Sequence, residues 1–317
     1  MSETSRRDRV GLGLIGLGPI WEQHYREPLS RLRNRLTIRM VYDPVEGRSK
    51  SIASDYGAEV AHSLTQVLRR PTLQGLIILD PGWCTTGFLN LVIRGNKPAF
   101  LSSQVLSHAA NAVAALGNSV NHGDAAGLRT NAAEQLIPEL CQRFTPASCR
   151  LRELIATRLG PVVKIAIEAD LSHPATETAS LVDWCLDLMG QAPTISPAPS
   201  GESTAGIDFT FAARTSSNGR AMPTPRTATL RHLPADNALI RVQCERGTAT
   251  LPNRAQIRWE TAAESADESL TDERTETEIL IDQFCRRALG GLNPIGRLSE
   301  FVQALEIVNS IPLRQPA

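Results

Sequence analysis

GLGLIGLGPIWEQHY, residues 11–25, sets the reading of the whole chain. Two glycine patterns overlap in it. Gly11, Gly13 and Gly16 satisfy G-x-G-x-x-G, but a phosphate-binding glycine turn must follow a strand, and too few apolar residues precede Gly11 to make one. The strand must therefore run through 10–15, and the working turn is Gly16-Leu17-Gly18-Pro19-Ile20-Trp21. In such a turn the first glycine bends the chain and the second lets the backbone approach a pyrophosphate. The third lets helix pack closely on strand. Gly16 and Gly18 keep the first two roles, while Trp21 stands in the third position. Glu22 adds a negative charge in the first helical turn, which suits the helix dipole but repels a pyrophosphate. A dinucleotide-binding shape is expected, with the cofactor kept or lost according to what Trp21 does.

Outward from this turn, apolar runs of strand length alternate with helical stretches. A helix is expected over 19–34, then the strand LTIRMVYD, ending in Asp43. GRSKSIASDYGAEV reads as a helix closed by Gly57 and SLTQVLRR as another. LQGLIILD is a third buried strand, TTGFLNLVIRG a helix closed by Gly95, and KPAFLS a fourth strand. Buried strands between helices are the mark of a parallel sheet covered on both faces, the doubly wound α/β pattern. Further on, QLIPEL reads as a strand and PASCRLRELIATRLG as a helix closed by Gly160. PVVKIAIEAD, IDFTFAAR, TATLRHL, ALIRVQCE and GTATL then alternate as half-exposed strands do, and two helices close the chain. Residues 192–206 read as a loop. The expected fold is an N-terminal Rossmann-type domain over 1–128, followed by an α+β domain over 129–317 with a mostly antiparallel, open-faced sheet.

Composition narrows the function classes. With 317 residues, 42% apolar, and a formal net charge of zero, the chain is long enough for two cores and carries no basic stripe. Nucleic acid is not an expected partner, and neither is a membrane, since no apolar run reaches spanning length. The six cysteines form no C-x-x-C pair, which fits reduced thiols and a cytoplasmic protein. No metal is expected, because the six histidines never pair at ligand spacing. No G-x-S-x-G occurs, so a hydrolase has no support. Only three lysines exist, Lys50, Lys97 and Lys164.

GLIGLGPIWEQH, VYDP, LIILDP and IRGNKPAFLSSQ together resemble the glucose–fructose oxidoreductase, inositol dehydrogenase and MocA family, with His24 on the family's histidine after the glycine turn. LRELIATRLGPVVKI, GTATL, DQFCRRALGGLNPI and ALEIVNSI are similar to its second half, so the likeness spans nearly the whole chain. The resemblance implies a Rossmann domain and a sheet domain, NAD or NADP as cofactor, a sugar or polyol substrate, and a homo-oligomer formed through the open sheet. On these grounds Gly16, Gly18, Pro19, Ile20, Asp43 and Pro81 are the expected cofactor-binding residues. Asp43 favours NAD, because a carboxylate repels a 2′-phosphate.

The family's chemistry, by the same resemblance, uses a lysine from E-K-P to hold the reacting oxygen, and an aspartate and a histidine spaced D-x-x-x-H to handle the proton. A hydroxyl that loses hydride must also lose a proton, which is why a base and an oxyanion partner are needed. Here Ser102, Ser103 and Gln104 fall on E-K-P, and Thr176 and Ser180 fall on the aspartate and histidine. Lys97 cannot substitute, because it precedes the strand PAFLS and so lies roughly 20 Å from the strand's far end, at ~3.3 Å per residue. Asp183 survives as a structural cap or substrate contact, with Ser103 beside it in the expected ligand set. The expectation is a divergent relative without the family's catalytic residues that keeps a small-molecule or protein-binding role. The alternative is an NAD(P)-dependent oxidoreductase of a sugar or polyol with other residues as base, such as Glu177 or His173.

Overall fold

Val10–Ile15 forms strand β1 with every residue buried, as the position of the glycine turn requires. It lies between two parallel neighbours, β2 (Leu36–Tyr42) and β4 (Gly75–Ile78). With β3 (Glu59–Val60), β5 (Ala99–Leu101) and β6 (Leu136–Pro138) the sheet runs β3-β2-β1-β4-β5-β6, parallel throughout. The two strand glycines have packing reasons unrelated to phosphate. A Cβ on Gly13 would sit 3.0 Å from the Leu76 and Val67 side chains, and one on Gly11 would sit 2.7 Å from the Thr72 carbonyl oxygen.

The computed structural model describes residues 9–79, 86–108, 135–172, 175–190, 193–197, 206–212, 225–234, 238–271, 274–291 and 295–311. The chain divides into two compact units, Met1–Leu140 with Thr275–Val302, and Cys141–Arg274 with Gln303–Ala317. In the first unit, helix α1 comprises a π-helical turn, Trp21–Tyr25, and an α-helical part, Arg26–Arg31, so it stops short of residue 34. Next come α2 (Glu46–Tyr56), α3 (Leu64–Arg69), α4 (Thr86–Arg94) and α5 (Ser103–His108). Gly57 ends α2 at φ +63°, a left-handed conformation that glycine adopts at little cost.

The second unit holds an eight-stranded sheet in the order β14-β13-β12-β11-β7-β10-β9-β8. Helix α6 (Pro146–Leu154) and a π turn, Ile155–Leu159, lead into β7 (Val162–Ala169), and α7 (Ala175–Met189) follows. The other strands are β8 (Thr194–Pro197), β9 (Gly206–Phe211), β10 (Arg226–His232), β11 (Leu239–Cys244), β12 (Gly247–Asn253), β13 (Gln256–Thr261) and β14 (Ser265–Ser269). Only the central pair β7–β10 is parallel. Strand β8 falls inside 192–206, the stretch read as a loop, because pairing with β9 overrides its turn-rich composition. Ile165 and Ile167 of β7 face the helix-covered side. On the other side Arg241 meets Glu168 at 2.6 Å, Arg231 meets Asp208 at 2.6 Å and Arg258 meets Asp267 at 2.7 Å.

Two last helices are α8 (Glu276–Ala288) and α9 (Leu298–Asn309). Helix α8 belongs to the first unit: Phe284 lies 6.0 Å from Phe100 of β5, and Arg31 reaches Glu278 at 3.3 Å. A capping box of Thr275 and Glu278 starts it. Among the described residues no helix is long and apolar enough to cross a membrane.

Candidate functional site

The first unit's sheet reverses its order between β1 and β4, and ligands of such sheets bind at the carboxyl ends of the strands at that point. Gly16 closes β1 at φ +77°, in the region that favours glycine, and donates its amide to Tyr42 O at 2.9 Å. The chain is helical from Pro19, so Gly18 stands at the N-cap and Pro19 at the first helical position, where a missing N–H costs nothing. Trp21 N is used on Gly18 O at 3.0 Å. The amides this turn can offer an anion are therefore those of Gly18 and Ile20, at the positive end of the helix.

Trp21 does not project from the turn. Its side chain is 1% exposed, and its ring meets Tyr56 at the end of α2 edge-on at 5.9 Å. Tyr56 is itself held by Ser30 at 3.0 Å and covered by Arg33 at 4.7 Å. A residue this large cannot sit where a glycine would pack, and the helix opens there as a π turn, with Arg26 N donating to Trp21 O. The ring becomes a wedge between α1 and α2. Glu22 is also diverted: it pairs with Arg26 at 2.8 Å, and Arg26 reaches Asp55 at 3.0 Å. His24 is exposed on the same turn.

Asp43 stands just beyond β2, 6% exposed, and its carboxylate binds the turn itself. Oδ2 accepts from Leu17 N at 2.6 Å and Oδ1 from Val45 N at 2.7 Å. A carboxylate has about four acceptor positions, so two remain for a ribose hydroxyl. Asp43 thus braces the glycine turn, a role that sequence spacing did not suggest. Pro81 and His173 lie outside the described residues.

Of the three residues aligned on E-K-P at the end of β5, Ser102 does local work through its side chain and Ser103 through its backbone amide. Ser102 is fully buried; its hydroxyl donates to Leu79 O at 2.7 Å and accepts from Val105 N at 3.2 Å, which caps α5. Ser103 N donates to Glu139 Oε2 at 2.6 Å. Glu139 closes β6, is 8% exposed, and was hidden in the sequence as one more residue of QLIPEL. Lys97 lies before β5 and donates to Leu68 O at 2.9 Å, so it is a half-buried helix-end anchor, not a wholly solvated residue.

In the second unit the positions aligned on D-x-x-x-H are buried in α7: Thr176 at 6% exposure and Ser180 at 8%. Ser180 Oγ accepts from Gln142 N at 3.1 Å. Asp183, 1% exposed, takes Arg143 Nε and Nη2 at 2.6 Å each, a bidentate pair. Arg143 also reaches Asp187 at 3.3 Å, and Arg152 donates to Arg143 O at 2.8 Å. The 3₁₀ turn Cys141–Phe144 is thereby stitched to α7. Trp184 is wholly buried, part of the core and not of a lining, and Glu177 is exposed. Burial pushes the neighbouring Cys185 thiol up to about 12, which makes it inert as a nucleophile. Arg143 went unnoticed in the sequence, since nothing local ties it to an aspartate in a later helix.

No protein-family model matches the chain, and no curated protein matches it. Solved structures do. UDP-N-acetylglucosamine 3-dehydrogenase GnnA from Acidithiobacillus ferrooxidans is 14% identical at TM-score 0.66, covering 95% of this chain and 96% of that one. The dehydrogenase MviM from Clostridium difficile is 12% identical at TM-score 0.67, covering 95% and 97%. A protein assigned as an NADPH-dependent oxidoreductase from Desulfitobacterium hafniense is 15% identical at TM-score 0.69, covering 96% and 94%. These likenesses establish the fold: a Rossmann-type unit and a mostly antiparallel eight-stranded sheet, the pair found in proteins of the glucose–fructose oxidoreductase, inositol dehydrogenase and MocA type.

Proposed function

We propose that this chain is a divergent member of that family which binds a nicotinamide dinucleotide at the Gly16–Ile20 turn and holds a ligand, without the Lys–Asp–His chemistry that the resemblance implies. The observation that carries the reading is the employment of the replaced residues. Ser102 caps α5 and Ser180 anchors Gln142, while the surviving Asp183 is paired with Arg143. Side chains spent on local structure are poor bases and poor oxyanion partners, since each would have to give up a buried hydrogen bond to act.

Cofactor binding is supported by the donor set. Gly16 holds the tight turn, the Gly18 and Ile20 amides stand at a helix start, and Trp21 is folded under the helix against Tyr56. Asp43 keeps acceptor capacity for a ribose hydroxyl, and its charge favours NAD over NADP. When bound, the nicotinamide would supply a hydride donor or acceptor; what this chain contributes is the cradle. The outward face of the eight-stranded sheet is the surface through which a homo-oligomer would form. Its Arg–Asp and Arg–Glu pairs make that contact polar and sensitive to salt. Scattered free thiols fit a cytoplasmic setting.

The test is a titration of the purified protein with NADH and NADPH, read by calorimetry and by tryptophan quenching, after any co-purified cofactor is removed. Saturable micromolar binding with NADH preferred is the expected result. No binding up to millimolar concentration removes the dinucleotide reading and leaves a role in protein–protein contact. A second reading, an oxidoreductase of a sugar or polyol with other residues, is favoured by Glu139, a buried carboxylate beside Ser103. Turnover of myo-inositol or a nucleotide sugar, followed at the reduced nicotinamide's absorbance, would replace the first reading with the second.

A further inference from the structure

We infer that the ends of β5 and β6 in the first unit form a nicotinamide subsite selective for the oxidised, positively charged ring, with Glu139 as its specificity-determining residue; the inference rests on the dinucleotide reading above. Glu139 is more than nine-tenths buried at the carboxyl end of β6, yet only Oε2 has a described hydrogen-bond partner, the Ser103 amide. It forms no ion pair among the described residues. On the residue after Ser103, Gln104 Oε1 is a second buried acceptor without a partner among those residues.

The charge at this place is the reverse of what the resemblance implies. Ser103 stands where a lysine is expected, and Lys97 is bound to Leu68 O before β5 begins. His108, at the far end of α5, is exposed and turns Nδ1 to Gln104 O at 3.1 Å. Among the described residues, the ends of β5 and β6 present a carboxylate and an amide oxygen, a set suited to a ligand bringing hydrogen-bond donors and positive charge.

Sheet order says which half of a dinucleotide comes here. The β1–β3 half ends in the glycine turn and Asp43, the pyrophosphate and adenosine-ribose side, so the β4–β6 half faces the nicotinamide. An oxidised nicotinamide ring carries a positive charge and a carboxamide with two N–H donors. On accepting a hydride, two electrons and a proton's mass, the ring becomes neutral. A carboxylate held nearby in a poorly solvated place therefore stabilises the oxidised form and adds nothing comparable for the reduced one, an effect on the order of tenfold in relative affinity.

The experiment measures the dissociation constants of NAD+ and NADH by calorimetry on the full-length protein and on Glu139→Gln. Glutamine keeps an acceptor for the Ser103 amide while removing the charge. The expected result is an increase of about tenfold in the ratio of the NAD+ constant to the NADH constant, with NADH affinity nearly unchanged. Ser103→Lys, which sets a cation beside Glu139, should move the ratio the same way, and it stands in if Glu139→Gln does not fold. If both nucleotides bind and neither variant changes the ratio, the subsite inference is overturned while the dinucleotide reading survives. If the wild-type protein binds neither, both fall together.

Discussion

The glycine turn of the first unit and helix α7 of the second both differ from the pattern of the family that the sequence resembles, in opposite ways. At the turn one residue has changed from small to very large, and the backbone has yielded: a π turn opens, Trp21 slides under the helix, and the amides at the helix start stay in place. At α7 the small polar residues have been absorbed. Ser180 and Asp183 are bound to Gln142 and Arg143, and the helix is tied to the 3₁₀ turn before α6. The first departure conserves a binding shape at the cost of helix regularity. The second places buried, hydrogen-bonded side chains in a structural joint, where the resemblance implies reacting groups. A backbone that relaxes around a large side chain can keep its amides at a helix start, whereas side chains with buried partners are held in place by them.

The strongest way to break this contrast is Trp21→Gly, which restores the fingerprint glycine. If Trp21 is a wedge, the variant loses about 4–6 kcal/mol in urea unfolding, from a large-to-small cavity plus the helical cost of glycine. A loss below 1 kcal/mol would mean the ring fills nothing. Next comes Arg143→Ala, which removes the bidentate partner of the buried Asp183. About 3–5 kcal/mol should be lost, and Arg143→Met should recover only the packing part of it, since bulk returns while the ion pair does not. Thr145→Ala sharpens the same joint, because Thr145 caps α6 by accepting from Ser148 N; about 1 kcal/mol is expected in thermal unfolding.

The smallest effect lies in neither region. Hydrogen bonding from Arg150, aided by Trp259 and opposed by burial, holds the Glu268 carboxyl below its ordinary value. A lowered folded pKa contributes stability that is present above the ordinary carboxylate range and is lost as pH falls through the folded value. Glu268→Gln should therefore flatten the acid limb of the stability–pH curve and leave stability unchanged in slope near neutrality. An unaltered acid limb would remove Glu268 from the account.

The sequence carried most of the strands, though not β3, β8, β13 or β14, because periodicity and burial are local properties. VGLGLI, LTIRMVY and PVVKIAIEA announce themselves by apolar runs or alternation, and Gly57 and Gly160 mark helix ends by their conformational freedom. Strand β14, SADES, did not, since an exposed edge strand has no apolar face to read. The site was harder for a related reason. Glu139 with Ser103, Asp43 with Leu17, and Arg143 with Asp183 are pairs whose partners are distant in sequence, and no spacing rule joins them. The composition of the turn indicated that Trp21 must be accommodated somewhere, but the place, against Tyr56 of the next helix, belongs to tertiary packing.

The placement of α8 has a consequence for how the chain is made. Synthesis proceeds from the amino terminus, yet Thr275–Val302 belongs to the first unit, and Phe284 packs on Phe100 there. On the ribosome the parallel sheet emerges early and must wait, with the surface meant for α8 uncovered, while the whole eight-stranded sheet is translated. Loop closure over so long an insertion is thermodynamically mild but delays the final docking. Nascent chains stalled before Thr275 should accordingly be bound by chaperones and cut by proteases within the first unit, and release of the remaining segment should end both.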